Sequence, residues 1–173
     1  MLSTLTHPAE VMSSPILHLR REDAGIVANF VATLDDEALQ MRFHGFTTPK
    51  MVRAHYDALD WGAAILTAWV ADGAVRGLSE ALLYRTSGGM EAEIALCVDR
   101  GWAGRGIGQA LVAYAAAEAA RCGAYRSIMV IASGDCEHAN AARHLGATFD
   151  ARHGFAVLVH APSAEHRAKG RRG

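Results

Sequence analysis

Apolar and polar positions alternate with changing period along the chain. "PILHLR", from Pro15 to Arg20, is a short extended run and predicts a strand. "REDAGIVANFVATL" continues at helical spacing, with Glu22 and Asp23 suiting the positive N-terminal end of a helix. The chain is thus expected to open with a β-α unit. "DDEALQMRFHGFTTPKMVRAHYDALDW" then reads as a polar loop, the irregular stretch "MRFHGF", and a second helix from near Thr48, where Pro49 is tolerated in the first turn.

Three runs rich in branched and apolar residues follow, "AILTAWVAD", "AVRGLSEALLYRT" and "MEAEIALCVD", separated by "DG" and "SGG". They predict three consecutive antiparallel strands joined by tight turns. From Gly106 to Arg121, Ile107, Leu111, Tyr114 and Ala115 share one helical face, and Gly123 is placed to end that helix. "YRSIMVIAS" reads as a fifth strand, "CEHANAARHLG" as a short helix ending at Gly146, and "ATFDARHGFAVLVH" as a terminal strand or hairpin. The order implies an α/β fold of the α+β type, a mixed, mostly antiparallel central sheet flanked by helices on both faces. It contains a β-α-β step from "AEIALCV" to "SIMVIA". No repeat or linker divides the chain, so residues 16–162 are expected to form one domain between a flexible tail over 1–15 and a basic tail over 163–173.

Composition narrows the function. With 173 residues and 51% of them apolar, the chain can build one sizeable core. A net charge of -1 offers no global attraction to nucleic acid or anionic membrane, although "HRAKGRRG" is locally basic. "MLSTLTHPAEVMSSP" has neither the basic start nor the apolar core of a secretory signal. "WGAAILTAWVA" is much shorter than the roughly 20 residues of a membrane span. A cytoplasmic location with no nucleic-acid or membrane partner is the expectation. Cys97, Cys122 and Cys136 lack CxxC spacing, which favours reduced thiols over a disulfide framework or zinc site. Nine histidines include no HExxH, and His138 and His144 are six apart, off the spacing that puts two ligands on one helix face; no metal is expected.

"DRGWAGRGIGQAL" concentrates Gly101, Gly104, Gly106 and Gly108 immediately before a helix. A dinucleotide GxGxxG fails, because Gln109 or Leu111 stands where the third glycine belongs, and a triphosphate loop fails because Ile107 occupies the lysine position. What both motifs share survives: without Cβ atoms, successive backbone N–H groups can turn toward an anion, and the helix adds about half a positive charge at its N-terminus. A pyrophosphate suits such a site. A glycine turn that merely lets helix and strand pack closely is the other explanation.

"CVDRGWAGRGIGQAL" resembles the acetyl-CoA loop of the GNAT N-acetyltransferase superfamily, with Ala103 at the motif's Arg/Gln place and Gly104, Arg105, Gly106, Ile107 and Gly108 following the pattern. The likeness runs from "LHLRREDA" through "AEIALCV" to "LGATF". With "LDDEALQMRF" it is most similar to the bacterial protein-lysine acetyltransferase group. The resemblance implies the GNAT fold and acetyl-CoA as cosubstrate. Gly104 to Gln109 would hold the pyrophosphate through backbone amides with help from Arg105. The backbones of Leu96, Cys97 and Val98 would pair with pantetheine amides like an added strand, making Cys97 a small strand residue and not a nucleophile. Asp135 stands at the family's cofactor-side asparagine position and can cap the following helix.

A free lysine is neutral in only about one molecule in 2,500 at pH 7, a penalty of roughly 4.6 kcal/mol, so amine acetylation benefits from a base. The resemblance implies Glu93 in that role, directly or through water. An ordinary surface carboxylate is its structural explanation, and Glu91 on the same strand face is the fallback, as base or substrate-attracting charge. The family's leaving-group tyrosine is replaced by Ala142; Cys136, His138 and His144 are the neighbouring candidates. "MRFHGF" is either a packed loop or a wall of the acceptor site. The function implied is acetyl transfer to a primary amine, on a small molecule or a protein lysine. The alternative is a non-catalytic module that binds or senses acyl-CoA, suggested by Ala103, Ala142 and Asp135. An exposed edge of such a sheet offers a route to a homodimer.

Overall fold

The computed structural model describes residues 15–43, 45, 47–131, 136–150 and 154–160, without the side chains of Met41, Cys136 and Glu137. Both tails, Asp135, and His44 and Phe46 of "MRFHGF" lie outside the described residues. The strands are β1 (Ile16–Leu19), β2 (Ala64–Ala71), β3 (Ala74–Thr86), β4 (Gly89–Val98), β5 (Ala124–Val130), β6 (Thr148–Asp150) and β7 (Phe155–Val159). They form one sheet in the order β1-β2-β3-β4-β5-β7-β6. Every neighbouring pair is antiparallel except β4 and β5, which run parallel because α4 (Ile107–Arg121) carries the chain from one to the other. The remaining helices are α1 (Ala24–Ala32), α2 (Asp36–Phe43), α3 (Pro49–Ala58) and α5 (Cys136–His144). "ATFDARHGFAVLVH" supplies the hairpin of β6 and β7.

Strand alternation gives the sheet two buried faces. Ala81, Ala92, Ile94, Leu96, Met129 and Leu158 meet Ile107, Leu111, Val112, Ala115 and Ala119 of α4, with Ala141 and Ala142 of α5. Leu66, Ala68, Leu78 and Cys97 meet Val27 and Val31 of α1, Leu39 of α2, and Val52 and Tyr56 of α3 on the opposite face. Of the residues expected on the packed face of α4, Ile107, Leu111 and Ala115 are buried, whereas Tyr114 is only half-buried and its ring stands edge-on to His18.

The stretch expected as a polar loop before "MRFHGF" is helical. Asp35 Oδ1 accepts from Ala38 N at 2.9 Å, which caps α2, and Leu39 anchors the helix in the core. A short helix of eight residues led by acidic positions carries little periodicity, which explains the difference. The α3 helix starts as expected, with Thr48 as N-cap and Pro49 in its first turn.

Two features of register shape the site. β4 pairs with β5 only from Met90 to Glu93, after which the two strands part. On the other side, β3 and α4 come very close. A Cβ at Gly77 would stand 2.9 Å from both Ile107 Cγ2 and Leu111 Cδ1, while one at Gly108 would stand 3.1 Å from Leu96 Cδ2. Gly77 and Gly108 therefore let the start of α4 settle onto β3 and β4.

Candidate active site

The glycine loop is held by its own side chains. Asp99 Oδ1 accepts from Gly101 N at 3.0 Å, and Asp99 Oδ2 accepts from Arg76 Nη1 at 3.2 Å. The Trp102 ring lies against two guanidinium groups, Arg76 at 5.0 Å and Arg105 at 4.5 Å from its centroid. Arg105 also donates to the carbonyl of Gly101 at 3.3 Å, and Arg100 reaches Asp35 at 3.2 Å, tying the loop to the cap of α2.

Gly104 and Gly106 have φ of +73° and +80°, and a Cβ on either would meet no other atom within 4 Å. Their requirement is conformational, since the left-handed region disfavours any side chain bearing Cβ. Gly106 is the N-cap of α4 and supplies no capping side chain. The first N–H groups of α4, from Ile107 onward, thus have no intrahelical partner and lie at a positive helix end.

Where β4 leaves β5, its backbone loses a strand partner. His138 of α5 reaches into this region, its Nε2 donating to the Leu96 carbonyl at 2.9 Å. Asp99 N donates to the Arg76 carbonyl of the β3 side at 2.8 Å, which fixes the alternation: Leu96 and Val98 aim their backbone groups toward the parted side. The Cys97 carbonyl lies instead near β3, 3.5 Å from a Cβ at Gly77. Burial pushes the Cys97 thiol up to about 12, so at neutral pH it is a protonated core residue.

The two strand glutamates differ sharply although they share a face. Glu91 is 2% exposed and accepts from Tyr125 Oη at 2.7 Å, Thr86 Oγ1 at 2.9 Å and Arg126 Nη2 at 2.9 Å. The Tyr125 hydrogen bond, then those from Thr86 and Arg126, hold its carboxyl below the usual carboxylate range despite burial. Glu93 is exposed, opposite Leu82 on β3 and Ile128 on β5. Glu91 is thereby engaged by its neighbours, and Glu93 is the solvent-exposed carboxylate of the two.

One cluster goes beyond the sequence reading. Glu80, in mid-β3, is 2% exposed and accepts from Arg42 Nη2 of α2 at 2.6 Å, with His55 Nε2 of α3 at 3.4 Å. Burial favours the neutral carboxyl, but the hydrogen bond to His55 and the charge of Arg42 outweigh it and lower the Glu80 pKa. Tyr56, fully buried beside this pair, has its phenol pushed up, chiefly by burial. The cluster fixes α2 and α3 to the sheet one strand away from Glu93. Its one signal in the sequence is the charged residue inside "LSEALL".

Among the described residues, no group of three or more His, Cys, Asp or Glu could hold a metal ion, and no helix is long and apolar enough to cross a membrane. Ala142 is fully buried, and His144 is exposed on α5.

The strand that parts from its parallel neighbour thus leads directly into a glycine loop and a helix N-terminus without a side-chain cap. The chain belongs to the acetyltransferase (GNAT) family, whose model matches residues 31–146. No curated protein sequence matches it. Its fold is shared with solved structures at low identity. The GNAT domain of S. lividans PAT superposes with a TM-score of 0.65 at 22% identity, covering 83% of this chain and 87% of that one. The structure of yncA from Salmonella typhimurium with its cofactor acetyl-CoA gives 0.63 at 21% identity, covering 86% and 97%. An aminoglycoside acetyltransferase from an uncultured soil sample, in complex with sisomicin, gives 0.60 at 15% identity, covering 84% and 92%.

Proposed function

We propose that this protein is an acetyl-CoA-dependent N-acetyltransferase acting on a primary amine, with Glu93 as the base. The observation that carries the proposal is the pairing of the parted β4 edge and bare α4 N-terminus with one exposed carboxylate on the adjacent strand face. Membership of the acetyltransferase family and the acetyl-CoA in the Salmonella neighbour support the choice of donor.

The residues present fit that donor. The N–H groups of Gly106, Ile107, Gly108 and Gln109, with Gly104 giving the loop its turn, would hold the diphosphate. Leu96 and Val98 offer the strand-like backbone groups for the pantetheine arm, with Cys97 between them set into the core. Arg105 can swing from its exposed stack on Trp102 to a phosphate. Bound acetyl-CoA supplies a thioester whose C–S bond breaks as the amine N–C bond forms.

Glu93 takes the ammonium proton, directly or through water, and frees the lone pair. His138, whose Nε2–H donates to the Leu96 carbonyl in this structure, is assigned to turn that N–H to the departing sulfur once pantetheine takes up the carbonyl, and so to supply its proton. A protein lysine and a small amine both remain within this chemistry, and the low identity to the PAT domain does not choose between them.

Acceptor-dependent CoA release in wild type and Glu93→Gln tests the proposal. The variant should lose about 10²- to 10⁴-fold in turnover while binding acetyl-CoA as before. Unchanged turnover would remove Glu93 from the mechanism. Binding without turnover on any amine would favour the acyl-CoA sensor, the alternative that the buried Ala142 keeps open.

A further inference from the structure

The inference rests on the acetyltransferase proposal and concerns the body of the acceptor. The sheet face bearing Glu93 continues past β4 as a shelf over β5, β7 and β6. Its first row runs Leu82, Glu93, Ile128, Val157, Thr148, through the paired positions of β3, β4, β5, β7 and β6. The next row on the outer strands is Val130, Phe155, Asp150.

Val130 is 44% exposed, and Ile128, Phe155 and Val157 are half-buried, although all four are apolar. Helices α1 to α3 bury the corresponding face of β1 to β3 in the second core. Among the described residues, this partly exposed apolar row begins beside the proposed base and runs away from it.

Among the described residues, charge along the shelf is sparse. Arg126 and Glu91 neutralise each other at one end, 2.9 Å apart, and Asp150 stands on the outer strand. Among the described residues, Glu93 is the open carboxylate at the β4 end of the apolar rows. A polycationic acceptor needs several carboxylates spread over its footprint, and burying an unpaired ammonium against valines is costly. One carboxylate with an apolar floor complements one ammonium on an apolar body.

We infer that the acceptor is a small monoamine whose single primary amino group meets Glu93 and whose apolar or aromatic body lies on Ile128, Val130 and Val157. Such a ligand gains by covering apolar area, which polyamines and sugar amines do not.

The test uses methyl-labelled full-length protein with CoA present. The methyl resonances of Ile128, Val130 and Val157 are followed during titration with 2-phenylethylamine, methylamine and spermine. Saturable shifts with 2-phenylethylamine, at an affinity about tenfold or more above methylamine and spermine, and weakened about tenfold by Val130→Asp, are expected. Tighter binding of spermine, or methyl groups that ignore 2-phenylethylamine, would overturn the inference. Turnover with the same amines separates the two proposals. Methyl shifts without acetylation uphold the shelf and reject the transferase, while acetylation of spermine in preference to 2-phenylethylamine upholds the transferase and rejects the shelf.

Discussion

Gly77 of β3 lies so close to Leu111 of α4 that a Cβ at position 77 would come within 2.9 Å of the Leu111 Cδ1. Leu111 is fully buried and cannot swing away. Gly77→Ala should therefore lose about 1–3 kcal/mol, the usual cost of overpacking a tight core. It should also weaken acetyl-CoA binding, because the helix start is what must move. Urea denaturation reads the first effect and calorimetry the second; an unchanged midpoint would show that the helix can relax at no cost.

Glu80 and Arg42 form a buried ion pair, so removing one partner strands a charge. Glu80→Leu or Arg42→Met alone should cost about 3–5 kcal/mol. The double replacement Arg42→Met with Glu80→Leu should recover most of that loss. A double-mutant cycle by urea denaturation checks this, and additive losses would mean that the two groups are independent.

The lowered Glu91 carboxyl links stability to pH. Its folded pKa lies below its value in the unfolded chain, so the unfolded state binds more protons as pH falls. The contribution is complete above the ordinary 4.5 and is lost as pH drops through the folded value. Denaturation midpoints should decline as pH falls from about 4.5 through the folded value, and Tyr125→Phe should flatten the decline by removing the largest cause. An identical acid limb in the variant would contradict the assignment.

His138 is assigned the leaving-group proton, and its replacement should act on turnover more than on binding. His138→Phe is expected to slow acceptor-dependent CoA release by about 10²-fold at neutral pH while CoA affinity changes little. A thioester of a more acidic thiol should narrow the gap. Equal slowing with both donors would make His138 a positioning residue for β4.

Much of this arrangement is legible from residue order. The sheet, the β-α-β step through α4 and the hairpin follow from period and turn residues, because those signals are local. The α2 helix hides in the sequence since, among its described side chains, Leu39 is the deep anchor, and its cap at Asp35 resembles any acidic loop. Glu91 and Glu93 are indistinguishable in the sequence, as both fall on one strand face. The hydroxyls of Tyr84, Thr86 and Tyr125 and the guanidinium of Arg126 separate them, and β5 supplies two of those four groups. The Glu80–Arg42–His55 cluster joins three elements far apart in sequence, and Gly77 gives no local sign that α4 presses on it.

Calorimetric titration of the full chain with acetyl-CoA, alongside Gly106→Val checked for folding by circular dichroism, tests the central claim most directly. Saturable binding by wild type, weakened at least about tenfold in a folded Gly106→Val, is the predicted result, since valine at a φ of +80° distorts the helix start that would hold the diphosphate. A wild type that takes up no acetyl-CoA would contradict it, leaving the glycines as a packing device and the chain without its donor.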